Sequence, residues 1–481
     1  MFSEGERTVT SLISNFENSN ELRQRARRLI PGGAHTYAKG DDQYPVLSPG
    51  FIARGRGAYV FDVDGNKYIE FGMGNRAVSL GHAYPKILRA VERELKNGAN
   101  FTRPAVIELD CASIFLETIQ AAEMVKFCKD GSHATSGAIR LARAVTGRDL
   151  VARCADHPFF STDDWFIGST PMNAGIPKAV RDMTLSFHYN EIDSAKALFE
   201  QHPGKIAAVI LEPSKGEAPK DNFLHRLRDL CHAHGALFIL DEMITGFRWH
   251  LNGAQALYDI QPDLSCFGKA MGNGFAISAL AGKREFMELG GIDQREKPRV
   301  FLLSTTHGAE THAMAAAIAT MKIYREEPVI QHLYEKGEAL RKGISQIAAS
   351  HGISNHFSVF GLASNLVYAT FDEDGRPSQA LRTLFLQELI KRGVLAPSFV
   401  VSYTHGDPEI AKTLDAVDGA LCVYRKALEN GVSNYLVGRP SDVVFRATNR
   451  MTTQPDAVPA LVPELSRRVK RREPSLATAG R

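Results

Sequence analysis

Between residues 124 and 267, five apolar runs of strand length alternate with stretches of helical periodicity, and no other feature limits the possible folds as much. The runs are Met124–Cys128, Leu150–Cys154, Ile206–Leu211, Leu237–Leu240 and Leu264–Phe267; the clearest helical patterns between them are Ala138–Val145 and Phe223–Ala233. A strand, a helix and a second strand in succession form a crossover that lays the strands parallel. A sheet built this way is covered on both faces, so its strands are apolar throughout rather than alternating. The expected class is therefore α/β, with a mainly parallel central sheet and helices on both faces. Ligands in such sheets bind beyond the carboxyl ends of the strands. The residues just after each run are the ones to read for chemistry.

A chain of 481 residues can bury roughly three quarters of its unfolded surface and needs no covalent staples. Its six cysteines (Cys111, Cys128, Cys154, Cys231, Cys266, Cys422) show no CxxC spacing, and Met1-Phe-Ser-Glu-Gly-Glu-Arg7 has no apolar leader core. They read as thiols of a reducing compartment, and the chain as cytoplasmic. No apolar run approaches the ~20 residues that span a bilayer. A formal net charge of +3 is too slight to imply a nucleic-acid partner. Part of the excess lies in Ser466-Arg-Arg-Val-Lys-Arg-Arg-Glu-Pro474, read as a solvated tail. Composition marks three zones, 1–50, about 51–310 and from about 311; the expected domains are an amino-terminal segment (1–80), a large domain (81–325), a carboxyl-terminal small domain (326–440) and an extension (441–481). Long helical patterns dominate from Thr311 onward, as in Thr311–Arg325 and Val329–Ala349.

Common site motifs are missing. A phosphate loop of the Walker type needs glycine at 263 and a hydroxyl at 270, but Gly268-Lys269 has Asp263 and Ala270 there. No GxGxxG follows a strand and there is no HExxH. Cys231-His232-Ala-His234 resembles a metal cluster, but a helix would turn His232 and His234 to different faces, so no metal is expected.

Two strand ends carry the chemistry. Leu237–Leu240 is followed by Asp241-Glu-Met-Ile-Thr-Gly-Phe-Arg248, and Leu264–Phe267 by Gly268-Lys269-Ala-Met-Gly272-Asn-Gly274. A strand-end lysine alone is more often a surface or salt-bridging residue. Paired with an acid at a neighbouring strand end, it suits a carbonyl cofactor held as a Schiff base. The lysine supplies the amine, and a buried carboxylate keeps a pyridine nitrogen protonated so that carbanion charge drains into the ring.

The motif Asp241–Arg248, its interval to Lys269, Phe61-Asp-Val-Asp-Gly-Asn-Lys-Tyr-Ile-Glu70, Leu80-Gly-His-Ala-Tyr-Pro85 and Asp130-Gly131-Ser132-His-Ala-Thr together resemble the class III pyridoxal-phosphate aminotransferases. Within them the chain is most similar to the glutamate-1-semialdehyde aminomutase subgroup. The resemblance implies a fold-type-I enzyme, with a large sheet domain and a smaller α+β domain built from both chain ends, using pyridoxal 5′-phosphate. It casts Lys269 as the cofactor-binding amine and proton shuttle, and Asp241 as the partner of the ring nitrogen. Gly131 and Ser132 would hold the phosphate at a helix amino terminus, although a serine that merely caps the helix would look the same. Thr305 would complete the phosphate site from a partner subunit, implying a homodimer with shared active sites. Phe159 or Phe160 would stack on the ring, and Glu212 of Glu212-Pro213 would support hydrogen bonding near it.

The chain departs from the aminomutase pattern at four places. Lys39 stands where an arginine binds the substrate carboxylate, and lysine lacks the planar fork of arginine. Gly74-Asn75-Arg76 replaces a bulky pocket segment, Gly308-Ala309-Glu310 replaces Gly-Asn-Pro, and His133 replaces a glutamate. Polar changes around one pocket suggest a different substrate. The expected activity is amino transfer from an amino-acid donor such as glutamate, its carboxylate held by Arg76 with Lys39 and Asn75 nearby. The acceptor would be a ketone or aldehyde, such as a sugar, cyclitol or cyclic keto acid of secondary metabolism. An intramolecular aminomutase is the first alternative. A non-catalytic cofactor-binding scaffold is the second, disfavoured by the presence of both Lys269 and Asp241.

Overall fold

Seven strands form the central sheet of the computed structural model. From one edge their order is Met124–Cys128, Ser278–Gly282, Leu264–Phe267, Leu237–Asp241, Ile206–Leu211, Leu150–Cys154 and Thr184–Phe187. The pairings from Leu264–Phe267 to Thr184–Phe187 are all parallel, and only Ser278–Gly282 runs antiparallel to its neighbours. The structure describes residues 12–308 and 310–447, which lie within one compact unit. The basic run at 466–472 lies outside the described residues.

Alternate side chains explain why these strands are apolar throughout. Val151, Ala208, Ile210, Leu237 and Ile239 face the helix Gly131–Thr146 through Ala134, Ala138, Leu141 and Ala142. Their neighbours Ala152, Val209, Leu211, Phe238 and Leu240 face the other way, toward Ile192–Gln201 and Phe223–Ala233. Both faces of the sheet are thus core, and every residue of Ile206–Leu211 and Leu237–Asp241 is buried. Each fully buried leucine, isoleucine or phenylalanine contributes about 1.5–3 kcal/mol.

The two ends of the chain meet in a second, four-stranded sheet. Ile52–Arg56, Tyr59–Asp62 and Lys67–Glu70 pair antiparallel, and Val394–Leu395 adds in parallel to Lys67–Glu70. A third sheet, Phe357–Phe360, Asn365–Thr370 and Phe399–Val400, belongs to the carboxyl-terminal part with the helices Val329–Ser350, Gln379–Lys391 and Asp407–Asn430. These pieces bring Asn365 and Ser398 close to residues 73–76. Among the described residues no helix is long and apolar enough to cross a membrane.

Candidate active site

Asp241 ends its strand, Lys269 lies two residues beyond the neighbouring Leu264–Phe267, and Glu212 follows Ile206–Leu211 on the other side. Parallel neighbours present their carboxyl ends together, so the three side chains act on one another electrostatically. Asp241 is 2% exposed; its Oδ1 accepts the Met243 N–H at 2.9 Å, and Oδ2 has no hydrogen-bond partner among the described residues. Burial, reinforced by Glu212, pushes its carboxyl up to about 7. Glu212 is buried as well, with Oε2 unpaired, and burial raises its pKa against the pull of Lys215, Lys269 and Arg76. The Glu212 N–H donates to His157 Nδ1 at 3.0 Å. Lys269 is half-buried, and its amine makes no hydrogen bond or ion pair with the described residues. Burial lowers its pKa, while Asp241 and Glu212 oppose that shift.

Two glycines leave room for one side chain. A Cβ on Gly131 would lie 2.8 Å from Met243 Sδ, and one on Gly268 would lie 2.7 Å from the same sulfur. Met243 therefore spans the floor between the turn that begins at Gly131 and the loop that carries Lys269. That turn starts the helix Gly131–Thr146, and its N-cap is Asp130, whose Oδ1 accepts the His133 N–H at 3.0 Å. Ser132 is not the cap: its Oγ accepts the Thr162 N–H at 3.0 Å. The N–H groups of Gly131 and Ser132 have no intrahelical acceptor and remain for an anion.

The other expected residues are more dispersed. Phe160 is buried, while Phe159 is 42% exposed and stacks on Phe445; both rings contact Phe166. Thr305 is exposed, and its hydroxyl has no partner among the described residues. Within one chain it is not joined to Gly131 or Ser132. Lys39 is exposed and lines a cavity of about 520 Å3 together with His35, Thr36, Tyr44, Glu70 and Asn75. Arg76 is not part of that lining. Its Nε donates to Asn365 Oδ1 at 2.9 Å and its Nη2 to Ser398 Oγ at 3.2 Å, and Nη1 has no partner among the described residues.

Residues 73–76 are left-handed throughout, with φ of 43° at Met73, 58° at Gly74, 56° at Asn75 and 70° at Arg76. Only glycine accepts that region freely, so three of these four residues are strained. Buried Arg248 holds the turn by donating from Nη2 to Arg76 O at 2.8 Å and from Nη1 to Val401 O at 3.3 Å. Asn273 holds the following residues, its Oδ1 accepting the N–H groups of Ser79 and Leu80 at 2.9 and 2.8 Å.

Two of the four departures have local explanations rather than a place in the pocket. His133 pairs with Asp130 at 2.9 Å, and Glu310 forms an ion pair with Lys129. The sequence reading had no place for Met243, Arg248, Asn273 and His157. Met243 and Arg248 do sit inside the motif that begins at Asp241, which was the available signal. His232 pairs with Asp263, and His234 stacks on Phe199.

These groups fit a phosphorylated pyridine carbonyl cofactor. There is an unpaired amine at Lys269, a buried carboxylate with one free oxygen at Asp241, and a helix amino terminus with free donors. Comparison with known proteins agrees. The family model described as aminotransferase class-III matches residues 37–399. Glutamate-1-semialdehyde 2,1-aminomutase of Alkaliphilus metalliredigens is 33% identical over 428 residues, covering 84% of this chain and 96% of that protein. The FumI protein of Sphingopyxis sp. MTA144, solved in a PLP form, superposes with a TM-score of 0.78 at 30% identity, covering 86% of this chain and 97% of that one. An omega-transaminase from Sphaerobacter thermophilus gives a TM-score of 0.76 at 29% identity, covering 85% and 98%.

Proposed function

The chain belongs to the class-III aminotransferase family and is a pyridoxal 5′-phosphate-dependent enzyme; on that premise we propose that it transfers an amino group from an amino-acid donor, preferably glutamate, to the carbonyl of a separate acceptor. The observation that carries the proposal is the state of Arg76. Two of its nitrogens are fixed by Asn365 and Ser398, the third is unpaired, and its charge acts on Glu212 and Lys269. A pre-oriented guanidinium with a free edge beside the reacting amine suits a donor carboxylate. Lys39, at the aminomutase's carboxylate-binding position, is an exposed point charge on a cavity wall.

In this reading Lys269 holds the cofactor through its amine, Gly131 and Ser132 take the phosphate, and Phe159 and Phe160 are the aromatics available to cover one face of the ring. When bound, the cofactor supplies an electrophilic carbonyl and a ring that draws electrons from the substrate Cα. Asp241 holds a proton at the ring nitrogen. Once displaced by the donor's amine, Lys269, with its pKa lowered by burial, would take the proton from Cα and return it at the former carbonyl carbon. Glu212, fixed through its backbone by His157, offers Oε2 to hydrogen bonds on the substrate side.

The cavity lined by His35, Thr36, Lys39, Tyr44, Glu70 and Asn75 supports an acceptor with several hydroxyls, such as a sugar, cyclitol or cyclic keto acid. A homodimer with shared sites is part of the proposal. Val106, Leu109 and Phe301 are apolar side chains 75%, 70% and 67% exposed that a second copy would cover, and Thr305 is open to a partner's phosphate site. Identity of 33% with an aminomutase over most of the chain favours a second reading, amino migration within one molecule. A half-reaction separates the two. On adding glutamate alone to the cofactor-loaded enzyme, the visible absorbance should fall and 2-oxoglutarate should appear. No reaction with glutamate, together with conversion of glutamate-1-semialdehyde to 5-aminolevulinate without a donor, would replace the first reading by the second.

A further inference from the structure

We infer that Arg439 is a positioning residue for the acceptor cavity: with Asp442 and Arg446 it straps down the segment 34–44, the wall that carries Lys39 and Tyr44. The inference deepens the proposed function and rests on its reading of that cavity as the acceptor's. Residues 34–44 have little structure of their own. They make two short turns, Tyr37–Lys39 and Asp41–Gln43, and pair with no strand. The turns close internally, Lys39 N–H on Thr36 O, Gly40 on Tyr37, Gln43 on Gly40 and Tyr44 on Asp41. Of the segment's side chains only Tyr44 packs on a buried apolar cluster, and Tyr37 is 62% exposed. Among the described residues, every hydrogen bond or ion pair from 34–44 to the rest of the chain ends on the first helix, Glu17–Leu29, or on residues 439–446.

From the helix, Arg23 Nε pairs with Asp41 Oδ1 at 2.7 Å, and Arg27 pairs with the same carboxylate. The carboxyl-terminal side holds more. Arg439 Nη2 donates to Asp41 O at 2.7 Å, and its Nη1 to Tyr44 O at 3.3 Å and to Asp42 O at 3.5 Å. The Asp442 N–H donates to Asp42 O at 2.8 Å, and Arg446 Nη2 to Asp42 Oδ2 at 2.6 Å. One planar guanidinium thus reaches three carbonyls of the second turn, which fixes the shape of that turn as well as its place. The strap is itself anchored on the helix Gln379–Lys391. The N–H groups of Ser441 and Val437 donate to Thr383 Oγ1 and Gln387 Oε1, each at 2.9 Å, and Gln379 Nε2 donates to Ser441 Oγ at 2.9 Å. Between strap and segment lies a cleft of about 280 Å3, lined by Ala38, Gln43 and Tyr44 on one side and Gln379, Ser441 and Val443 on the other. Tyr44 also lines the cavity of about 520 Å3 that holds Lys39, so a single residue separates the two spaces. With so little apolar packing, the donors at 439–446 decide whether this wall stands where an acceptor can meet Lys39.

The test uses the full chain. Arg439→Met keeps an apolar stem but removes the donors, and Arg439→Lys restores the charge without the fork. In Arg439→Met, backbone deuterium uptake at residues 37–44 should quicken by at least about tenfold, while the helix Gln379–Lys391 exchanges as in the parent and so reports intact folding. The enzyme loaded with pyridoxamine 5′-phosphate is then offered two probes, the cyclitol ketone 2-keto-myo-inositol and the cyclic keto acid 3-dehydroshikimate, in single-turnover reactions. For whichever probe the parent accepts, Arg439→Met should raise the half-saturating concentration by at least about fivefold and keep the limiting rate within about twofold. Arg439→Lys should recover part of the loss. Unchanged exchange at 37–44, or a lower limiting rate at unchanged half-saturation, overturns the inference and leaves the acceptor reading intact. A parent that aminates neither probe overturns the acceptor reading of the cavity and this inference together.

Discussion

The role proposed for Asp241, to face a ring nitrogen, requires that the protein control its proton, and Asp241 is buried enough for that. In the unfolded chain an aspartate titrates near 3.9; in the cofactor-free fold burial and Glu212 push Asp241 up to about 7. Below the lower value both states are protonated and the shift has no effect on stability. As pH rises through the window the unfolded chain ionises first, so the cofactor-free protein loses stability until both states are ionised above about 7. Asparagine cannot ionise. Asp241→Asn should therefore gain on the parent between pH 4 and 8 in cofactor-free urea unfolding, by about 4 kcal/mol at most. The loaded variant should lose most of its activity, because a neutral amide does not keep the ring nitrogen protonated. A gap that does not grow with pH would mean that Asp241 carries no raised pKa. The placement of Asp241 and Lys269 at neighbouring strand ends was legible because the apolar runs before them are continuous. Met243 was not, because a methionine in an apolar stretch looks like core until two glycines are seen to make room for it.

The same contrast holds for elements. Five of the seven central strands announce themselves as apolar runs, and four of the five keep the bounds read from the sequence, the fifth extending by one residue to Asp241. Ser278–Gly282 holds one large apolar residue, Leu280, among small ones, and Thr184–Phe187 is short and half polar, so neither stands out before pairing is seen. The left-handed turn at 73–76 is illegible for a different reason. Its geometry is imposed from outside, chiefly by Arg248, and intrinsic preference argues against it at Met73, Asn75 and Arg76. Arg248→Met has a similar shape but leaves the carbonyls of Arg76 and Val401 without their donor. At about 1–3 kcal/mol for each unpaired buried group, it should lower stability by roughly 2–5 kcal/mol in urea unfolding. The turn should relax and move Arg76, so the glutamate half-reaction should fall further than the loss of folded protein explains. A loss under about 1 kcal/mol would show that the turn holds without Arg248.

At the scale of the whole molecule, the proposed phosphate site is one that a single chain would leave incomplete. Gly131 and Ser132 supply donors from one side, but Thr305 of the same chain is exposed and unpaired. Within one sequence nothing separates a threonine that reaches a partner from one that faces water, and only the resemblance distinguished it. The proposed dimer makes a prediction that a monomer cannot meet. Lys269→Ala removes the reacting amine from its own site but leaves Thr305 to serve the partner's. Thr305→Glu does the reverse, setting a carboxylate against the partner's phosphate while its own Lys269 stays intact. Each homodimer should be inactive. In a mixed dimer, one site combines both defects and the other combines an intact Lys269 with an intact Thr305. Random mixing of a two-fold dimer makes half the dimers mixed, each with one intact site, so co-refolding equal amounts should restore about one quarter of parental activity. If each site were confined to one chain, mixing would restore nothing. A Thr305→Glu protein that is fully active alone would exclude Thr305 from the phosphate site.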